Sequence, residues 1–386
     1  MKEFSVGSLF AGVGGICLGF QNATTIKSGY KLSWANEIDE FACHTYRNNF
    51  KHTLLEGDIN KVLDPELAKN DPVEFNKYSK LHEIILKEPI DILNGGFPCQ
   101  AFSIAGEQKG FEDERGNLFL NFIKLINQLD KKFKKKPRIL FLENVKNLQS
   151  HDKGNTYKVI KSKLEECGYT IFEHVLNTME YSNLPQNRER IYIIGFLNKE
   201  DADKFHIFNN DFLKKLKNLK TAEERANDVR NIISYEEITK ENSPEFYYTK
   251  EKYPHYFVSK EEFSSSSKET RINLEEQINE YYQFYQCRRG MYVRKNMSNV
   301  CPTLTANMGT GGHNVPLIKV KDGVRKLTPA ETFKLQGFPV GNGYELPTEY
   351  KGKKYSNAHL YKQAGNAVSV PVITLLATEI LKIIED

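Results

Sequence analysis

The sequence has no Cys-x-x-Cys pair. Its six cysteines stand far apart, at 17, 43, 99, 167, 287 and 301. Structural zinc is therefore not expected, and no other metal is. Such wide spacing in a chain of 386 residues also argues against a disulfide framework. The cysteines read as thiols, most of them small buried hydrophobes. No uninterrupted apolar run approaches the roughly 18 residues that a bilayer span needs. The first residues, Met1-Lys2-Glu3-Phe4, are charged and then strand-like, unlike a signal peptide. A cytoplasmic chain without a membrane partner is expected. Charge of one sign is also scarce: the net charge is only +4, which by itself demands no polyanionic partner.

What is present is the composition of a globular protein, 39% hydrophobic and 27% charged. That length accommodates one large domain and a smaller one. The first half alternates strand-like and helix-like segments. Phe4 to Phe10, Lys31 to Glu37, Ile90 to Leu93, Arg138 to Leu142, Ile171 to Leu176 and Ile191 to Phe196 read as strands. Between them, Asp39 to Phe50 carries apolar residues at helical spacing behind an N-capping aspartate. Asn117 to Leu129 and Asn155 to Cys167 read as helices, the latter ended by Gly168. This alternation predicts an α/β fold, a Rossmann-like and mostly parallel sheet covered on both faces. Beyond Phe196 the pattern weakens into Lys, Glu and Asn, with a polar tract at Ser264 to Ser267. The expected division is a catalytic domain over 1–197, completed by 357–386, and a smaller irregular domain over 198–356. The apolar helix Val370 to Ile384 is expected to pack back on the sheet.

Several stretches carry chemistry. Phe10-Ala11-Gly12-Val13-Gly14-Gly15 follows the first strand, and its glycines let backbone approach a ligand closely. A dinucleotide fingerprint would need a final glycine where Cys17 stands. Glu37 ends the second strand, where a carboxylate accepts from ribose hydroxyls or simply caps a helix. Asp58 ends the third strand-like segment and is placed to accept from an adenine amino group. Asn94 to Ser103 follows a strand and holds Pro98-Cys99-Gln100. A thiol there would act only as thiolate, in a site that lowers its pKa; most cysteines are inert. Glu143-Asn144-Val145 ends the strand Arg138 to Leu142, which makes Glu143 a candidate acid or base. Gln186 to Arg190 carries Arg188 and Arg190, either a clamp for a planar or anionic group or a surface loop paired with Glu189. Finally, residues 286–326 hold eight basic side chains (Arg288, Arg289, Arg294, Lys295, Lys319, Lys321, Arg325, Lys326) against one acidic, Asp322. That excess is either a phosphate-binding footprint or a solvated basic face.

Taken together these blocks resemble the cytosine-C5 DNA methyltransferase family of the bacterial restriction-modification type. Six of them occur in the family's order: Phe10 to Gly15, Glu37 with Asp58, Gly96 to Ser103, Glu143 to Val145, Gln186 to Arg190, and Gly365 to Val372. The resemblance covers most of 4–196 and 300–375 and does not extend over 200–285. It implies the S-adenosylmethionine-dependent methyltransferase fold, a target-recognition domain, S-adenosylmethionine as cofactor and double-stranded DNA as partner. It further implies a cytosine flipped out of the duplex, with Cys99 adding to C6 while Glu143 holds N3 and the exocyclic amine. Arg190 would position the base and Arg188 support the same loop, as a catalytic group of four. The implied cofactor shell is Phe10, Gly12, Gly14, Gly15, Glu37, Asp58, Ile59, Pro98, Leu118 and Asn366. Ile38 stands where the family often has Trp, so adenine would rest between Ile59 and Phe10 instead. Implied DNA contacts are Gln100, Ser103, Arg288, Arg289, Thr303 and Leu304, with glycines 309, 311 and 312 admitting phosphates. A monomer with a cognate restriction endonuclease in a bacterial cytoplasm completes the expectation. Three rivals stand beside this reading, and one of them, a catalytically dead DNA-binding relative, is disfavoured because Cys99, Glu143, Arg188 and Arg190 are all present. A tRNA cytosine-5 methyltransferase of the same fold would carry Cys-Phe-Thr, which is absent, and a nicotinamide or flavin oxidoreductase would keep the final glycine.

Overall fold

The computed structural model describes residues 1–97, 118–264, 271–288, 291–308 and 315–385. They form two compact units. The first comprises Met1–Leu176, Glu189–Lys217 and Val370–Asp386; the second comprises Asn177–Arg188 and Asn218–Ser369. The expected boundaries shift in three places, each for a visible reason. Residues 198–217 stay with the first unit, where buried Asp201 accepts both arms of Arg138 at 2.6 and 2.7 Å. Residues 177–188 leave it, because Asn187 N donates to Cys301 O and Cys301 N to Pro185 O. Residues 357–369 belong to the second unit, held by Gln336 Nε2 on Ala364 O and Tyr361 Oη on Leu327 O.

The first unit is built on a seven-stranded sheet. Its strands are β1 (Lys2–Leu9), β2 (Ser28–Glu37), β3 (Thr53–Glu56), β4 (Ile92–Gly95), β5 (Ile139–Val145), β6 (Thr170–Asn177) and β7 (Glu189–Phe196). Their order is β3-β2-β1-β4-β5-β7-β6. The pairs β1–β2, β2–β3, β1–β4 and β4–β5 are parallel; β5–β7 is antiparallel. The order reverses between β1 and β4, and ligands of open α/β sheets bind beyond the strand ends at such a switch. Helices α1 (Gly15–Asn22), α2 (Glu40–Asn49), α3 (Ile59–Leu63), α4 (Pro72–Ile85), α5 (Leu120–Phe133) and α6 (Asn155–Glu166) connect the strands. Asp39 caps α2 as expected, accepting from Phe41 N and Ala42 N. Gly168 closes α6 at φ 95°. Helix α4 had no counterpart in the sequence reading, since its apolar stripe is thin.

The strands are buried on both faces: Ile139, Leu140, Phe141 and Leu142 of β5 are fully buried. The C-terminal helix Val370–Ile384 buries nine residues, among them Ile373, Leu376, Ile380 and Leu381, and packs on α1. At roughly 1.5–3 kcal/mol for each large aliphatic side chain, this face is a main part of the unit's stability. Gly19 of α1 has no room for a Cβ beside Ile373. The segment Asn357–Ile384 is, against expectation, long and apolar enough by length and composition to cross a bilayer. Most of it is buried inside the protein, as a core helix is.

The second unit contains a four-stranded sheet of β8 (Tyr285–Arg288), β9 (Tyr292–Lys295), β10 (Leu317–Val320) and β11 (Gly323–Lys326), ordered β11-β10-β8-β9. Its antiparallel pairs place Tyr285, Cys287, Leu317 and Val324 on a core shared with Tyr248, Phe257 and Leu274. The basic footprint is smaller than the sequence count. Arg325 is fully buried and paired with Glu331 at 2.7 and 2.8 Å, so it is withdrawn from any phosphate. Most of the Ser264 to Ser267 tract, and the glycines at 309, 311 and 312, lie outside the described residues.

Candidate active site

The register brings four strand ends to one edge of the first unit's sheet. Leu9 pairs with Gly95 and Gly95 with Leu142, so the chain leaves β1 and β4 at one level, while β5 runs on to Val145. The antiparallel β7 enters at that same level, with Arg190 opposite Val145. An expectation that Gln186 to Arg190 precedes the strand is thus corrected for Glu189 and Arg190, which lie on β7.

After β1 the backbone turns sharply. Phe10 takes φ 56°, Gly12 φ 56° and Gly14 φ 84°. The left-handed region costs a bulky residue energy, so Phe10 is held there by its surroundings; its ring lies 5.9 Å from that of Phe122. At Gly14 a Cβ would overlap the Phe50 ring, so glycine is needed for space as well as for φ. The turn is tied to the end of β2. Glu37 Oε2 accepts from Gly12 N at 2.7 Å, and Oε1 accepts from Ile38 N and Asp39 N at 2.8 Å each. Burial pushes the Glu37 carboxyl above the usual carboxylate range, and these three N–H donors oppose the shift. Each carboxylate oxygen has two lone pairs, so one acceptor position, on Oε2, remains for a hydroxyl donor. Ile38, beside it, is 66% exposed, an apolar surface at the rim. Ile59 is only 3% exposed and sits in the core against which Phe10 also packs. Leu118 is partly buried against the same core. Gly15 is buried at the start of α1.

Glu143 and Arg190 meet across the β5–β7 ladder. Arg190 pairs with Val145, so Glu143, two residues back, is its diagonal neighbour on the same face. Arg190 Nε lies 3.2 Å from Glu143 Oε1, and both side chains are largely buried. The other oxygen, Oε2, faces Gly96, where a Cβ would come within 3.3 Å. Asn144, 4% exposed, donates from Nδ2 to Phe97 O at 2.9 Å while its Oδ1 accepts from Val145 N. Residue 98 is proline and offers no N–H, so the Phe97 carbonyl is the polar handle of that peptide. The chain entering Pro98-Cys99-Gln100 is therefore fastened beside the Glu143–Arg190 pair. Pro98, Cys99, Gln100 and Ser103 themselves, and Arg289, lie outside the described residues. The five described cysteines are all buried. Burial pushes the Cys17 and Cys301 thiols up, as expected of inert core thiols.

In the second unit, Arg188 is 2% exposed and holds three carbonyls: Leu304 O at 3.1 Å, Gly365 O at 3.3 Å, and Ala367 O. Its guanidinium ties the 304 segment to the 365–367 turn. Gly365 has no space for a Cβ against the Thr305 backbone. Leu304 is fully buried. Thr303 Oγ1 donates to Asn187 O at 2.6 Å. Arg288 ends β8 partly exposed, and Asn366 ends the helix Asn357–Asn366. Replacing Arg188 by methionine should leave three interior carbonyls without their donor, at about 1–3 kcal/mol for each group left unsatisfied. The urea midpoint is expected to fall sharply; an unchanged midpoint would show that the node contributes nothing. Among the described residues, no group of three or more His, Cys, Asp or Glu is arranged to hold a metal ion.

The fold is that of the S-adenosylmethionine-dependent methyltransferases. The solved structure of the Entamoeba histolytica methyltransferase EhMeth matches with a TM-score of 0.62 at 16% identity, over 99% of each chain. More particularly, residues 4–382 match the model for C-5 cytosine-specific DNA methylases, and the chain belongs to that family. It is 43% identical to the Type II methyltransferase M.Bsp6I of Bacillus sp. (strain RFL6), over 98% of each chain. It is 34% identical to the Type II methyltransferase M.HaeII of Haemophilus aegyptius, over 98% of this chain and 92% of that one. The chain is accordingly a DNA (cytosine-5-)-methyltransferase.

Proposed function

We propose that this enzyme methylates carbon 5 of a cytosine turned out of a short specific duplex site, through a transient bond between Cys99 and C6. The observation that carries the reading is the Glu143–Arg190 pair at 3.2 Å, set against Gly96 at the entry to the Cys99 loop. Glu143 holds the N3 edge of the base and supplies or keeps a proton there, which draws electrons from C6. Arg190 keeps the carboxylate aimed until the base arrives. The Cys99 thiolate forms a bond to C6 and leaves C5 nucleophilic. S-adenosylmethionine, when bound, supplies an electrophilic methyl group. Loss of the C5 proton to a base then lets the Cys99–C6 bond break, which restores both the aromatic ring and the thiolate.

The residues around the glycine turn fit that cofactor. Glu37 keeps one acceptor position for a ribose hydroxyl, Asp58 would accept from an amino group, exposed Ile38 would meet an apolar ring, and the open space beside Gly12 admits a ligand. Thr303, Arg288, Arg289, Gln100 and Ser103 are proposed to meet the DNA. Protection of host DNA from a cognate restriction endonuclease is the biological role that the family suggests.

Bisulfite sequencing of DNA from a host expressing the chain should reveal one short methylated context. A duplex carrying 5-fluorocytosine at that position should then form a complex that survives denaturation, because fluorine does not leave as a proton does. A methylated context with no trapped adduct would overturn the covalent step; no methylated context would overturn the activity.

A further inference from the structure

Asp58 is held by a relay of amides that the proposed chemistry has not used. Its Oδ1 accepts twice from Asn60, from the backbone N at 2.9 Å and from Nδ2 at 3.0 Å. Asn60 Oδ1 accepts in turn from Asn121 Nδ2 at 3.0 Å. Asn121 lies in the first turn of α5, is 4% exposed, and comes from 61 residues further along the chain. The relay has one direction. A flipped Asn60 amide would set its oxygen against the Asp58 carboxylate and its nitrogen against the Asn121 donor. With Oδ1 twice occupied, Oδ2 of Asp58 accepts no hydrogen bond among the described residues.

All three side chains border one cavity of about 440 Å³, with Lys61, Leu67, Leu120 and Lys124. Its two cations are already engaged, Lys61 with Glu74 at 2.6 Å and Lys124 with Asp64 at 3.3 Å. The polar feature left for a ligand is an acceptor. An acceptor-only group selects a donor and repels another acceptor, most strongly when it cannot rotate.

We propose that Asn121 and Asn60 are positioning residues that turn Oδ2 of Asp58 toward the exocyclic amine of the cofactor's purine. Discrimination of a 6-amino purine from a 6-oxo purine then depends on Asn121, although Asn121 touches only Asn60. The inference rests on the reading of Asp58 as the contact to adenine.

The test is equilibrium binding of two ligands, S-adenosylhomocysteine and S-inosylhomocysteine, to the full chain. The parent protein should prefer the adenosyl compound by about 10- to 100-fold, the range of one hydrogen bond to a charged group. Asn121→Leu should lower that ratio by about fivefold or more and leave the affinity for the inosyl compound nearly unchanged. Asn121→Asp, close in shape but unable to donate as a carboxylate, should do the same and guards against a packing defect in the leucine variant. If both ligands weaken equally, or the ratio stays at the parent value in both variants, the relay is structural and the proposal falls. Failure of the underlying reading looks different. The parent protein would then bind neither ligand, or Asp58→Asn would leave the ratio untouched.

Discussion

Replacing Cys99 by serine is expected to remove methyl transfer by about three orders of magnitude or more while DNA binding persists. A covalent catalyst loses most of its rate when the attacking group goes, and a serine hydroxyl is far harder to ionise than a thiol. The chain feeding the thiol is fastened through Phe97 O to Asn144 Nδ2, and Gly96 lies against Glu143. Tritiated methyl incorporation and a mobility-shift assay on the same duplex measure the two properties separately. Turnover within tenfold of the parent enzyme would rule Cys99 out as nucleophile. Loss of DNA binding in parallel would point to a fold defect.

Glu143→Gln should lower turnover by about 10²–10⁴-fold, the usual contribution of a positioned acid or base, with cofactor affinity little changed. Glutamine keeps an oxygen for Arg190 but has no proton to exchange with the base. Glu143→Ala should add a folding defect of up to about 3–5 kcal/mol, because Arg190 would then be a buried cation without its partner. Only 9% and 13% of the two side chains is exposed, so solvent offers little compensation. Single-turnover rates with saturating cofactor, set beside urea unfolding of both variants, separate chemistry from stability. Equal rates for Glu143→Gln and the parent would show that the carboxylate is not the proton-handling group. A matching loss of cofactor binding would make its role structural.

Much of the first unit was legible because its information is local. Strand and helix periodicities, the Asp39 cap and Gly168 each depend on residues within a turn or two. The four strand ends were legible as candidate sites for the same reason, since glycine turns and strand-end carboxylates announce themselves in short windows. Phe10 was legible as part of a glycine turn, but not as a residue at positive φ. Nothing in a six-residue window says that Glu37 will accept from Gly12 and hold the turn.

The arginines divide for a reason no short window contains. Arg188 and Arg190 are two residues apart, yet one is sealed on three carbonyls of the second unit and the other aims at Glu143 in the first. By itself, the sequence determined the element types, the order of the chemical blocks and the family, since these follow from residue identity and near-neighbour spacing. Tertiary structure decided which carboxylate meets which guanidinium, that Leu304, Ile59 and Arg325 are interior, and that Asn121 reaches Asp58 through Asn60. Those pairings are set by sheet register and by packing between segments tens of residues apart. A chain's local pattern specifies that such a face exists, and only the closed fold specifies what it faces.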